Sequence, residues 1–301
     1  SIYTQPSDEE IAEQQRVTDS LAALQVEEEA SIEAESALLS EVATADTSLL
    51  DSALMAELDS ELKARYGVLA PAASGEEIKS TIKTDVLELT FSNKGGVPVK
   101  ANLLAYSTYD SLPLILFNEE TAKLGYEFTY PSLGNLNTAD FYFSQSKGDL
   151  ELSGDDSKQI AFTLNMEGGR KIENIYTVNG NSYEVGIETR FTDVDGVVTS
   201  PQLVWEMSGK HNEKGIDQER NNSTIFYKLE GEGRDYLSET GSDDDEIENQ
   251  DLQWLAFKQH FFSAILIPKS EIGDGAKLES FPYTEEAPNL NQYYRAELPI
   301  D

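Results

Sequence analysis

The chain of 301 residues contains no cysteine. Disulfides, thiolate metal sites and cysteine nucleophiles are thereby excluded, while the redox compartment stays open. Histidine is scarce. With only His211 and His260 present, a zinc site built from several histidines is excluded. Cationic side chains are few: 22 Lys plus Arg stand against 56 Asp plus Glu, a formal net charge of −34. Such a surface repels nucleic acid and anionic lipid headgroups, which rules out DNA or RNA as a partner. Long hydrophobic runs are missing as well. No stretch of about 18 apolar residues occurs, so no part of the chain reads as a bilayer span. A secretory leader pattern is absent, and the chain opens on Ser1 rather than Met, which we read as an excised fragment or a processed N-terminus.

Nucleotide and nucleophile-elbow signatures are missing too. Gly231-Glu232-Gly233 lies in an acidic context and opens no apolar helix. Asp193-Val194-Asp195-Gly196 lacks the further oxygen ligands of a calcium loop and reads as a hairpin turn. The acidic run Gly241 to Glu246 reads as a mobile surface loop. Asn221 to Thr224 contains overlapping glycosylation triplets, which arise cheaply by chance. Among so many carboxylates, no motif selects a catalytic pair. His211 reads as lying in an exposed loop, and His260 as lying inside a strand; neither is in a recognisable catalytic setting. No catalytic, cofactor-binding or metal-binding residues are assigned.

What the chain does contain changes character along its length. Residues 1–70 hold 16 acidic and 3 basic side chains. Ser7 with Glu10 fits a capping box, placing a helix start at Asp8 with Val17, Leu21 and Leu24 on one face. Glu27-Glu28-Glu29 then concentrates like charge. A second helix is better marked: Ser48 and Asp51 resemble a cap, and Leu50, Leu54, Leu58 and Leu62 recur every four residues. Lys63 and Arg65 suit the last turn, Gly67 a C-cap, and Pro71 a stop. Residues 1–75 thus read as an acidic, partly helical arm.

From about residue 80 the pattern becomes period two. Leu87, Leu89 and Phe91 alternate with polar residues, as do Ile160, Phe162, Leu164 and Met166, and Tyr183, Val185, Ile187 and Phe191. Gly95-Gly96, Gly168-Gly169, Asn179-Gly180 (as a type I′ turn) and Asp193 to Gly196 punctuate the strands. Short strands with such turns predict an antiparallel sandwich or open barrel over 76–301. Trp205, Tyr126, Tyr130 and Tyr142 line a groove for an extended peptide or else fill the core.

The most informative stretch is Trp254 to Pro268. Read as one strand, it is apolar on both faces. Leu255, Phe257, Phe261, Ile265 and Ile267 lie on one side, and Trp254, Ala256, Phe262, Ala264 and Leu266 on the other. Lys258, Gln259 and His260 interrupt it and must be paired or mark a rim. Trp254, Lys258, Gln259, Phe261, Phe262 and Pro268 together resemble the signature of the large periplasmic domain of the YidC family of bacterial membrane protein insertases. The segment Leu89 to Tyr106, with its Gly-Gly turn, resembles the opening of the same domain.

The resemblance covers roughly residues 80–300. It implies a large twisted antiparallel β-sandwich, a supersandwich similar to galactose mutarotase without its chemistry. It also implies a periplasmic location, with the inner membrane reached through transmembrane helices absent from this chain. The implied role is non-catalytic docking to the Sec translocon, its accessory subunits and nascent membrane proteins, the signature residues being the first candidates for contact. The family domain usually runs further past Tyr293 to Asp301, so the resemblance implies a C-terminal truncation. A secreted carbohydrate-binding or mutarotase-like sandwich is the alternative, and a surface adhesin a third.

Overall fold

The computed structural model describes residues 50–270, 272, 274–284 and 286–300. The expected capping box at Ser7 and Glu10, the face of Val17, Leu21 and Leu24, the Glu27–Glu29 run and the Ser48 cap lie outside these residues. Helix α1 spans Leu50–Tyr66 and carries Lys63 and Arg65 in its last turn, where cations offset the exposed carbonyls. Gly67 follows with φ of 55°, as a C-cap glycine should. The backbone then tightens into a 3-10 helix, Gly67–Ala72, with Pro71 inside it. Gly67, not Pro71, therefore ends the α-helix, and the expected stop at Pro71 falls inside the following 3-10 turn.

Residues Leu62–Asp301 form one compact unit, and it is mainly β. The strands are β1 (Lys79–Lys83), β2 (Leu87–Ser92), β3 (Val97–Ser107), β4 (Pro113–Phe117), β5 (Ala122–Tyr130), β6 (Gly134–Asn137), β7 (Ser144–Gln145), β8 (Leu150–Glu151), β9 (Ser157–Asn165) and β10 (Lys171–Asn179). They continue as β11 (Val185–Thr192), β12 (Thr199–Lys210), β13 (Thr224–Leu229), β14 (Arg234–Tyr236), β15 (Asp243–Ile247), β16 (Leu252–Lys258), β17 (Ser263–Leu266), β18 (Ala276–Pro282) and β19 (Leu290–Pro299). A short helix α2, Ile216–Arg220, lies between β12 and β13.

Among the described residues the strands form four sheets, ordered β4-β3-β2-β1-β8, β11-β10-β9-β7, β15-β18-β19-β12-β5-β6 and β14-β13-β16-β17. Neighbours run antiparallel except β1 and β8. The first two sheets enclose one core, in which Phe91, Phe162 and Tyr176 pack ring to ring. The other two enclose a second core, centred on Phe257, Tyr294 and Leu255. In two of the three sets the alternation seen in sequence is the alternation of burial: Leu87, Leu89 and Phe91 face inward, as do Ile160, Phe162 and Leu164, whereas Tyr183 and Ile187 are exposed. Gly95 and Gly96 both have positive φ and turn β2 into β3.

Several expectations need correction. Asn179-Gly180 is not a type I′ turn, because neither residue has positive φ. Gly180 is required for a different reason: a Cβ there would stand 2.5 Å from the Ser153 carbonyl carbon. The acidic run is not a loop. Asp243 to Ile247 form edge strand β15, in register with β18 so that Glu246 faces Lys277. Asp243 accepts the Ser238 N–H at 2.7 Å, and Asp245 accepts the Tyr227 hydroxyl. Those partners offset the repulsion that favoured a loop. Tyr126 and Trp205 belong to the second core rather than to a peptide groove, while Tyr130 packs against the first and Tyr142 lies half-buried.

The second core is organised by a column of rings. Trp205 stacks on Phe257 at 4.0 Å between centroids, and Phe257 on Tyr294 at 5.1 Å and 12°. It ties β12 and β19 of one sheet to β16 of the facing one. Phe257→Ala is expected to lower stability by about 3–5 kcal/mol, while Tyr294→Phe costs about 1 kcal/mol through its lost hydroxyl bond. Urea unfolding of both variants checks this; a loss below about 1 kcal/mol for Phe257→Ala contradicts the role given to the column.

Candidate functional site

The signature stretch is not one strand. It is a hairpin in which β16 and β17 pair Leu255 with Leu266, Ala256 with Ile265, Phe257 with Ala264 and Lys258 with Ser263. The reversal at Gln259 to Phe262 contains no Gly, Pro, Asn or Asp, and none of its residues has positive φ. It is closed by the Gln259 N–H donating to the Phe262 carbonyl at 2.8 Å. The interrupting polar residues thus end β16, at Lys258, and open the turn, at Gln259 and His260. Folding back changes the faces: Leu255, Phe257, Ala264 and Leu266 face the core, while Ile265 lies with Ala256 on the other side.

Contacts with distant segments hold the turn in place. The Tyr294 hydroxyl donates to the Lys258 carbonyl at 2.9 Å. The Lys258 ammonium donates to the Asn222 carbonyl and stands 5.6 Å from the Phe226 ring centre. Burial holds that ammonium below the usual lysine range. Gln259 is 3% exposed and accepts from Asn212 Nδ2 at 3.3 Å. His260 Nδ1 lies 2.9 and 3.0 Å from the two carboxylate oxygens of Glu213.

Behind this lies Glu219, at 2% exposure. Its Oε1 accepts the backbone N–H groups of Asn212 and Glu213 at 2.8 and 3.1 Å, and its Oε2 stands 3.6 Å from His211 Nε2. His211 is therefore not in an exposed loop: its ring is mostly covered, facing Glu219 on one side and Tyr109 at 5.8 Å on another. The Tyr109 N–H donates to the Asn212 carbonyl at 3.0 Å. Each histidine thus meets a carboxylate, the arrangement of an acid–base pair. One oxygen of Glu219 fixes the backbone at 212–213, and Glu213 orients the His260 ring.

The result is an ordered turn that throws aromatic surface outward. Phe261 is 70% exposed and stacks on His260 at 4.1 Å. Phe262 turns back, half-buried, and meets the exposed Tyr106 edge to face at 5.2 Å. Tyr183, also exposed, stands close to Tyr106. Of the signature residues, Lys258, Gln259, Phe261 and Phe262 come together at this turn. Trp254 stands near the far end of β16 opposite Lys228. Pro268 lies beyond β17, half-buried. Tyr106 closes the Leu89–Tyr106 segment that stood out in sequence, whereas Tyr109, Glu213 and Glu219 carry no local sequence signal for the site. Only long-range pairing brings them in.

Glu219 makes the support pH-dependent. Its carboxyl is pushed above the usual value of 4.5, chiefly by burial and against the two backbone N–H bonds and His211. A folded-state pKa above the unfolded one means its contribution is fully present below about pH 4.5 and is lost as pH rises through the folded value. Glu219→Gln removes that loss. The stability difference between variant and native chain should shift in the variant's favour as pH rises from about 4.5. Urea midpoints across that range test this, and a difference constant with pH contradicts it.

A sequence model described as the YidC periplasmic domain matches residues 79–293. The protein named membrane protein insertase YidC from Parabacteroides distasonis is 29% identical over 317 aligned positions, covering 98% of this chain and 48% of that protein. Its namesake from Bacteroides fragilis is 30% identical over 276 positions, covering 90% of this chain and 41% of that one. The chain spans less than half the length of these relatives. Among solved structures, a galactose mutarotase related enzyme from Lactobacillus acidophilus is similar over 73% of this chain and 84% of its own, with 9% identity and a TM-score of 0.37. With a match that runs from β1 into β19 and takes in the whole signature hairpin, this chain belongs to the YidC periplasmic domain family.

Proposed function

We propose that the chain is the periplasmic docking module of a membrane protein insertase, and that the turn at Gln259 to Phe262 is where it meets other polypeptides. On this reading residues 1–75 are an acidic arm and residues 76–301 the docking domain. The module is non-catalytic, and insertion belongs to membrane-spanning parts of the longer protein. Its partners are nascent membrane proteins, and on family resemblance alone the Sec translocon and its accessory subunits.

The observation that carries the reading is the exposure of Phe261 on a backbone held by Tyr294, Asn212 and Glu213. A large apolar side chain left in water gives up roughly 1.5–3 kcal/mol of burial. A loop free to relax would tuck it in. This one is fixed with the ring outward, as a contact residue must be.

The test uses the full-length protein with Phe261→Glu. Phe261 is exposed, so the domain should keep its unfolding midpoint, with a change within about 0.5 kcal/mol. Membrane protein insertion in reconstituted vesicles should slow several-fold. Unchanged insertion, with the domain folded, contradicts the reading.

A further inference from the structure

The hairpin also presents an open sheet edge. Among the described residues strand β17 is terminal in its sheet and pairs only with β16. Gln259 and Phe262 form a hydrogen-bonded pair, and such pairs alternate along an antiparallel ladder. Ala264 and Leu266 therefore turn their backbone groups toward β16. Ser263 and Ile265 turn theirs away, and among the described residues no strand meets them. The usual protections of an edge, a charged side chain or a proline within the strand, are missing from Ser263 to Leu266. Ile265 and Ile267 are instead each 57% exposed.

The outer face of this sheet carries an apolar row in register. Tyr236 stands opposite Phe226 and stacks on it at 5.0 Å; Phe226 stands opposite Ala256, and Ala256 opposite Ile265. An added strand would extend that row by one side chain. The charge of the hairpin is equally particular. Between Asp251 and Glu271 the sequence holds no carboxylate, although the chain has 56, and Lys258 and Lys269 stand near the ends of β17.

We propose that β17 binds its partner by strand addition, the occupant being an extended polypeptide segment with alternating apolar side chains and little net charge. The proposal rests on the docking reading above and adds its mode. An open ladder of N–H and C=O groups selects extended backbone over lipid or sugar. A second copy of this chain is disfavoured, because pairing two edges would bring together two bodies of formal charge −34.

The probe is a dye-labelled peptide of about eight residues with alternating Val and Thr and a C-terminal Lys, titrated into the whole chain by fluorescence anisotropy. Saturable binding is expected, with slowed hydrogen exchange at the Ser263 and Ile265 amides. The same peptide N-methylated at consecutive central residues loses donors on both of its edges, cannot pair, and should bind about tenfold more weakly or not at all. Ile265→Pro removes one outward N–H and should weaken binding similarly while leaving the β16 pairing in place. Equal binding of the N-methylated peptide overturns strand addition without needing any protein variant. If binding then still falls on Phe261→Glu, docking on the turn stands and only its mode fails. If neither change matters, both readings fall. Dimerisation of the chain through this edge, seen by sedimentation, also overturns the proposal.

Discussion

The stacking of Phe257 between Trp205 and Tyr294 is the constraint on which the rest depends. Face-offset aromatic pairs add roughly 0.5–1.5 kcal/mol each beyond their buried area. More important is where they put the chain. With Phe257 locked in the second core and the Tyr294 hydroxyl on the Lys258 carbonyl, β16 has to end one residue after Phe257. The chain must then reverse at once. Gln259 goes inward, Phe262 packs against the first core, and Phe261 is left in water. The outward aromatic follows from the inward one.

The polar cluster behind the turn does the complementary work. Gln259 and Glu219 are buried, and a buried polar group without partners costs roughly 1–3 kcal/mol. Each spends its acceptor oxygen on the segment after β12. That segment in turn carries Glu213 to His260 and the Asn212 carbonyl to the N–H of Tyr109. Two loops far apart in sequence thereby share one scaffold, and the exposed rings of Phe261 and Tyr109 stand on its two ends.

Much of the architecture was legible in sequence because a sandwich strand writes its burial directly as period two. Leu87 to Phe91 and Ile160 to Leu164 needed nothing else. The failures share a cause. Trp254 to Pro268 read as one strand because Gln259-His260-Phe261-Phe262 has no turn former, and a turn with negative φ throughout needs none once tertiary contacts hold it. Asp243 to Ile247 read as a loop because the partners of Asp243 and Asp245, Ser238 and Tyr227, lie outside the strand. Asn179-Gly180 does open the connection between the paired β10 and β11, but not as a type I′ turn, and its glycine is there to let Ser153 pass. At the site, the signature residues stood out, whereas their supports at Asn212, Glu213 and Glu219 did not. Pairing across about 50 residues leaves no local trace.

The most direct test of the central claim is to place a photo-activatable cross-linking residue at position 261 of the full-length protein in growing cells. A second placement at Lys147, in the exposed loop after β7, serves as the comparison. The account predicts covalent adducts with newly made membrane proteins from position 261 and few or none from 147. Equal labelling from both positions, or none from 261, would contradict it.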